Sequence, residues 1–409
     1  MSRKQSIVAL HVAVMTVALL VCAAAWAQTE TVLHSFRYGT GDGYQPASPL
    51  VEHAGSLYGA TPWGGINESL YCFCGTIFQL SPNQDGTWTE SVLHGFGLDN
   101  NGAYPTGPVV FDSQGNLYGV AEGGGSNRLG VVFKLTPGAN GQWTESLVHA
   151  FSGPDGATPL AGLTEDSSGH LYGTTSIGGR DNLGVVFALG NGSGEVVLHS
   201  FTNGNDGKNP QSTLITDAGG NLYGTSLGGM SGGGVVFKLT PNRGSQGWTI
   251  TSLHSFSSGN GNAYNPTGLA FGADGNLYGT ASGGRYLYGA IFKLTPNGDG
   301  TWSESTIYDF QGPPGDAGGP LGPVTLDHAG TLYGVAGGGA TNWGTVYDLT
   351  PSGGGQWTET ILYNFSGGLD GANPSSGPLL GSDGNLYGPT TAGGLYQDWG
   401  VIYQITLNP

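Results

Sequence analysis

One tripeptide, Leu-Tyr-Gly, returns seven times along this chain, with its tyrosine at Tyr58, Tyr118, Tyr172, Tyr223, Tyr278, Tyr333 and Tyr387. The successive spacings are 60, 54, 51, 55, 55 and 54 residues. A period of this length copies one supersecondary unit, and each copy must bury its apolar faces against its neighbours. Gly and Pro together make 79 + 22 = 101 of the 409 residues. Without a period that content would point to disorder; with one it points to short strands joined by tight turns. Charged residues are only 10% of the chain, too few for a solvated disordered polymer. No segment beyond the N-terminal leader sustains an apolar period of 3.6, so long helices are not expected.

The second unit shows how each copy divides. Residues 107–112 read as strand a, 116–121 as strand b, 130–136 as strand c and 143–151 as strand d. Gly, Asn, Asp and Pro fall in the connections, where positive φ, side-chain-to-backbone bonds and chain stops are needed. The short connections make each unit an antiparallel meander. The two ends are out of phase with the repeat. Residues 31–36 match strand d, whereas the last unit stops after strand c at 400–406. The spacing therefore predicts an all-β fold: a seven-bladed β-propeller of four-stranded antiparallel blades, closed by the N-terminal strand completing the last blade. An open β-solenoid is the rival, and it would need polar caps that the terminal repeats do not show.

The N-terminus reads as an export leader. Arg3 and Lys4 precede an apolar run, and Ala25-Trp26-Ala27 is an A-x-A cleavage site. We expect residues 1–27 to be removed as a signal peptide and 28–409 to form a single propeller domain, secreted to the extracellular or periplasmic space. Cleavage takes the formal charge from −17 to −19, since two basic side chains are lost. Such a surface disfavours nucleic acid and anionic membrane, and no second apolar run would insert into a bilayer. The mature chain is expected to be a monomer. Its remaining cysteines, Cys72 and Cys74, cannot be a disulfide framework for so large a domain. They read as two small semi-buried residues, with a bridge between them as the alternative.

The joint pattern N-L-Y-G-T-x-x-x-G-G, then G-V-V-F-K-L-T-P, then W-T-E-x-x-L-H-S-F, then D-G-x-x-P resembles the GloVer tandem-repeat proteins, also called choice-of-anchor tandem-repeat proteins. The resemblance covers residues 29–408. It implies an exported bacterial repeat protein with no assigned activity, and it supplies no catalytic residues. Many members carry a C-terminal sorting segment; here residues 406–409 follow the last strand directly.

Three residue sets carry the functional expectations. His34, His94, His149, His199 and His254 share one position of strand d, which Tyr308 and Tyr363 hold later. Five histidines invite a metal, but they belong to five units, and exchange with tyrosine fits an aromatic body with one polar tip. Asp42, Asp99, Asp155, Asp206, Asp316 and Asp370 recur in the loop after strand d. These loops are expected near the central channel, mainly as Asp-Gly turns, with calcium at Asp99 and Asp206 as the metal alternative and no other cofactor. The loops from strand b to strand c break the symmetry. Trp63, Tyr71, Tyr286, Trp343, Tyr396 and Trp399 lie in units 5, 6, 7 and 1 and have no aromatic counterpart in units 2 to 4. They are the candidate ligand-binding residues, against the alternative that Trp343 and Trp399 replace Leu129 and Leu183 in packing. No nucleophile motif, phosphate loop or zinc pattern is present. The reading favoured is a binding or scaffold protein for extracellular polysaccharide or a cell-surface component, and more a non-enzyme than an enzyme. A lyase, glycosidase or lactonase using the channel face, and a purely structural surface component, are the alternatives.

Overall fold

Strand b pairs antiparallel with strand c in every unit, and the pairing explains the glycine of Leu-Tyr-Gly. Gly119 lies opposite Phe133, and a Cβ built on it would sit 2.5 Å from the ring. The same opposition recurs in all seven units, with Phe78, Phe187, Phe237, Phe292, Tyr347 and Tyr403 as the other rings. Each of these rings is fully buried. Each also meets an aromatic from strand d of the preceding unit, as in Phe36–Phe78 and Phe96–Phe133. The seven inter-unit pairs have centroids 5.0–5.3 Å apart and planes 61–68° apart. Edge-to-face pairs of this kind contribute about 1 kcal/mol each beyond their buried area.

The computed structural model describes residues 28–39, 41–65, 73–97, 101–190, 194–242, 247–259, 261–396 and 398–407. They form seven four-stranded antiparallel blades in a ring. In blade 2, strand a is split into Ala103–Pro105 and Val110–Phe111. Strand b is Leu117–Gly123, strand c is Val131–Pro137 and strand d is Trp143–Ala150. The one helical element among the described residues is a short 3-10 turn, Ala139–Gly141. No helix among them is long and apolar enough to cross a membrane. The leader and its cleavage site lie outside the described residues.

The N-terminal strand, Thr29–Ser35, pairs with Val401–Thr406 and supplies the missing strand d of blade 7. The ring is therefore closed, and the open solenoid is excluded. Further hydrogen bonds cross the seam. Ser375 Oγ donates to the Pro46 carbonyl at 3.0 Å, and Ser382 N–H donates to Glu52 at 2.8 Å.

A second contact keys each blade to the next. The glycine that opens strand c has φ between +87° and +98° in all seven units: Gly75, Gly130, Gly184, Gly234, Gly289, Gly344 and Gly400. A Cβ on any of them would lie 2.2–2.9 Å from Cδ of a proline at the start of the next strand a. Any other residue there would be strained and would push the neighbouring blade away. The tyrosine of Leu-Tyr-Gly has its own partner. Its hydroxyl donates to an aspartate in the preceding a–b turn in six blades, as Tyr223 does to Asp217 at 2.8 Å.

The innermost strands enclose a channel of about 370 Å³. Small side chains line it, among them Gly107, Ala161, Ser212, Gly268, Pro323 and Ser376. Among the described residues no carboxylate, imidazole or thiol lines it, so Asp42, Asp155, Asp206, Asp316 and Asp370 do not line this cavity.

Candidate functional site

Antiparallel order puts the b–c loops and the d–a loops on one face of the propeller. There the b–c loop accepts a backbone hydrogen bond from the start of the next strand a in six of the blades. Cys74 accepts from Tyr104, Leu129 from Thr158, Trp343 from Asn373 and Trp399 from Gln45. The scaffold of this face is thus repeated, and its variable side chains project from fixed backbone.

The aromatics gather at one sector, the seam where blade 7 meets blade 1. Tyr38, in the closing loop, stacks on Trp399 at 5.0 Å and 24° and lies 5.3 Å from Phe73. Tyr44 meets the edge of the same Trp399 at 4.9 Å. A two-residue ladder, Gly43–Tyr44 with Trp63–Gly64, sets Tyr44 opposite Trp63. Trp63 in turn lies 4.9 Å from Tyr104 of blade 2. Tyr38, Phe73 and Trp63 are 47%, 42% and 42% exposed, so this belt offers its rings to solvent. Beside it the Arg37 guanidinium sits 5.2 Å over the Tyr396 ring. Cys74, fully buried next to Phe73, is disulfide-bonded, which corrects the expectation of two unbridged cysteines.

Of the six expected ligand residues, Trp63 and Trp399 lie in this belt, and Tyr396 sits beside it against Arg37. Tyr71 lies outside the described residues. Tyr286 and Trp343, on blades 5 and 6, make no ring contact with the belt. Trp343 lies over Gly367, as Leu129 lies over Gly153, so one face of that indole packs within its own blade while the residue remains 48% exposed. Sequence reasoning missed Tyr38, Tyr44, Phe73 and Tyr104. Tyr38 was detectable: its counterparts two residues after the Phe are Leu98, Gly153, Asn203, Ser258, Gly312 and Gly367, none of them aromatic.

A second set of side chains converges between blades. The recurring histidines and aspartates are partners: His34 Nε2 lies 3.3 Å from Asp42, His149 Nε2 3.1 Å from Asp155 and His199 Nε2 2.9 Å from Asp206. Where tyrosine replaces histidine its hydroxyl takes the same role, Tyr308 to Asp316 at 3.3 Å and Tyr363 to Asp370 at 3.0 Å. Sequence reasoning overlooked the third member, the glutamate near the start of strand d on the next blade. Glu90 joins His34 and Asp42, and Glu195 joins His149 and Asp155. Burial, reinforced by the neighbouring aspartate, raises Glu30, Glu90 and Glu195 from 4.5 to about 7. Burial and a shared hydrogen bond with Asp316 hold Glu359 well above the usual carboxyl range.

Asp206, a calcium candidate, shows the opposite balance. Burial alone would raise it, but hydrogen bonds from His199, from the Thr202 hydroxyl and N–H and from the Gly204 N–H bring it to about 2. A calcium ion there would have to displace four donors. Asp99 lies outside the described residues.

The fold is shared with solved enzymes at low identity. An ancestral GH74 enzyme is 13% identical, with a TM-score of 0.56 over 94% of this chain and 52% of its own. A PL25 ulvan lyase, described as a new family of polysaccharide lyase, is 13% identical, with a TM-score of 0.50 over 92% and 96%. This chain thus spans about half the length of the first and nearly all of the second. No curated protein matches the sequence. The Gloeobacter/Verrucomicrobia repeat matches residues 21–167, 139–336 and 265–409, and the chain with its seven keyed blades is a member of that repeat family.

Proposed function

We propose that this protein is an exported binding or scaffold propeller that holds neutral extracellular glycans against the aromatic belt at its closure seam. The observation that carries the reading is the run of ring contacts Tyr104–Trp63 and Tyr44–Trp399–Tyr38–Phe73, with three of these rings more than 40% exposed. Sugar rings present apolar C–H faces that stack on such platforms, and flanking polar groups orient them. A chain of net charge −17 repels anionic polymers, which leaves neutral ones. Among the described residues that line the channel none is titratable, so they supply no acid–base pair for hydrolysis or elimination. The repeated backbone ladder under the loops keeps the platform rigid, which lowers the ordering cost of binding.

The test is titration of the mature protein with soluble neutral polysaccharides. Tyr38→Ala and Trp63→Ala should each weaken binding by about fivefold or more, as loss of a stacking ring does. Met230→Ala, on blade 4, should not. Equal binding by all three variants would place the ligand elsewhere, and absence of binding to any neutral glycan would remove the glycan reading.

A further inference from the structure

We infer that two inter-blade clusters, His34–Asp42–Glu90 and His149–Asp155–Glu195, are sites for a first-row divalent metal ion of the zinc type. Each offers one imidazole nitrogen and two carboxylate oxygens, and these atoms all lie within 4.8 Å of one another. Zinc holds such donors at about 2.0–2.2 Å in a tetrahedron, which sets neighbouring ligand atoms roughly 3.4 Å apart. The observed His34–Asp42 and His149–Asp155 separations are 3.3 and 3.1 Å.

The unpartnered atoms point the same way. Asp42 Oδ1, Glu90 Oε1 and Glu195 Oε1 are closed off from water and have no hydrogen-bond partner. Buried carboxylate oxygens are costly when left unpaired, and a cation is the partner that satisfies several at once. At the second cluster the outer support is also in place. The Ser152 N–H and hydroxyl hold Asp155 Oδ1 at 2.8 and 2.9 Å, which leaves Oδ2 facing the imidazole. Hydrogen-bonded carboxylate ligands of this kind are typical of metal sites. One imidazole with two carboxylates suits zinc, manganese, cobalt or nickel, whereas calcium asks for six to eight oxygens.

Two other junctions act as internal controls, whereas beside Tyr363 and Asp370 the Glu30 Oε1 is unpartnered as well. At blades 5 and 6, Tyr308 replaces the histidine, and its hydroxyl reaches both Asp316 and Glu359, at 3.3 and 3.5 Å. A hydroxyl donor there does what the ion would do elsewhere. At His199 and Asp206, the residue in the glutamate's place is Ile250, and Asp206 is saturated by donors. The first cluster has a further consequence. His34 lies on the closing N-terminal strand and Glu90 on blade 1, so an ion there would pin the ring shut.

Zinc should be titrated into the chelator-stripped, dialysed protein, with bound equivalents counted calorimetrically. Glu90→Gln and Glu195→Gln should each remove one equivalent, or weaken its site by at least about tenfold. The double variant should lose two equivalents, and Glu359→Gln none. Cobalt(II) bound in place of zinc should give the intense visible absorption of four-coordinate sites, and the double variant should lose it. Calcium should produce no matching equivalents. His34→Gln with His149→Gln provides a second pair should the glutamate variants fold poorly. The inference is overturned if wild-type protein binds no zinc saturably below roughly 1 mM. It is equally overturned if either double variant binds as much zinc as wild type. The clusters are then proton-sharing carboxyl pairs.

Discussion

Replacing Gly130 by alanine should be among the most destabilising single-methyl changes in this protein, and the structure says by how much. Gly130 has φ +96°, and its added Cβ would lie 2.4 Å from Pro159 Cδ and 2.8 Å from the Ala121 and Glu122 carbonyl oxygens. Two costs add. Left-handed backbone costs a residue with a Cβ about 1–2 kcal/mol. Overpacking a rigid contact costs about 1–3 kcal/mol more, since neither the proline ring nor the strand-b backbone is a flexible side-chain end. The total is about 3 kcal/mol. Gly115, in the a–b turn of the same blade, isolates the first cost: its φ is +80° and a Cβ there meets nothing within 4 Å. Gly115→Ala should therefore cost only about 1 kcal/mol. The assay is the urea midpoint of Gly130→Ala, Gly115→Ala and Gly130→Ala with Pro159→Ala. Removing the proline ring should restore part of the loss, giving a coupling of about 1 kcal/mol. Equal costs for the two glycines, with no coupling to Pro159, would refute the claim that this contact keys one blade to the next.

Two further predictions concern the polar network. In metal-free buffer, Glu30, Glu90 and Glu195 hold their protons more tightly when folded, because their values rise from 4.5 to about 7. The folded chain then binds more protons than the unfolded one, so stability falls as pH rises from 4.5 through about 7. A Tm series across that window should show this slope, and Glu90→Gln should flatten it; a Tm that climbs with pH would contradict the burial of these carboxyls. Tyr223→Phe should cost about 1 kcal/mol, the worth of its hydrogen bond to Asp217, whereas Tyr58→Phe, whose shorter turn carries no aspartate, should cost measurably less in the same denaturation assay.

The blade count, the four-strand unit and the closing strand were legible because they rest on order along one chain. The Leu-Tyr-Gly spacing and the phase of residues 31–36 needed no knowledge of contacts. The His–Asp–Glu clusters were not legible, because their members come from two blades and meet only when the ring assembles. His34 and Glu90 are 56 residues apart, one period of the repeat. The expectation that metal was excluded by five separate histidines compared histidines with each other, when each had partners of other types. A hint existed in the breaks, since Tyr308 and Tyr363 take the histidine position in two units and Ile250 takes the glutamate position in another. The aromatic belt was half legible. The b–c loops named Trp63 and Trp399, but Tyr38 and Tyr44 belong to the closing loop, which no repeat-to-repeat comparison of b–c loops includes. Trp343 illustrates the converse: an aromatic absent from blades 2 to 4, yet lying over Gly367 in the position where Leu129 lies over Gly153.

The central claim is that a strand from the N-terminus closes the ring, since both the aromatic belt and the first cluster are built across that junction. Deleting residues 29–36 tests it most directly. The deletion removes buried Leu33 and Phe36 and uncovers the edge of Val401–Thr406, whose Val401, Ile402, Tyr403 and Ile405 are fully buried in the intact protein. An unpaired apolar edge of this kind pairs with other chains. The measurement is thermal unfolding with size-exclusion chromatography of the truncated chain, with and without a synthetic peptide of residues 28–37. The account predicts aggregation and loss of a single cooperative transition, both reversed by the peptide. A truncated chain that stays monomeric and melts at the wild-type temperature would contradict it.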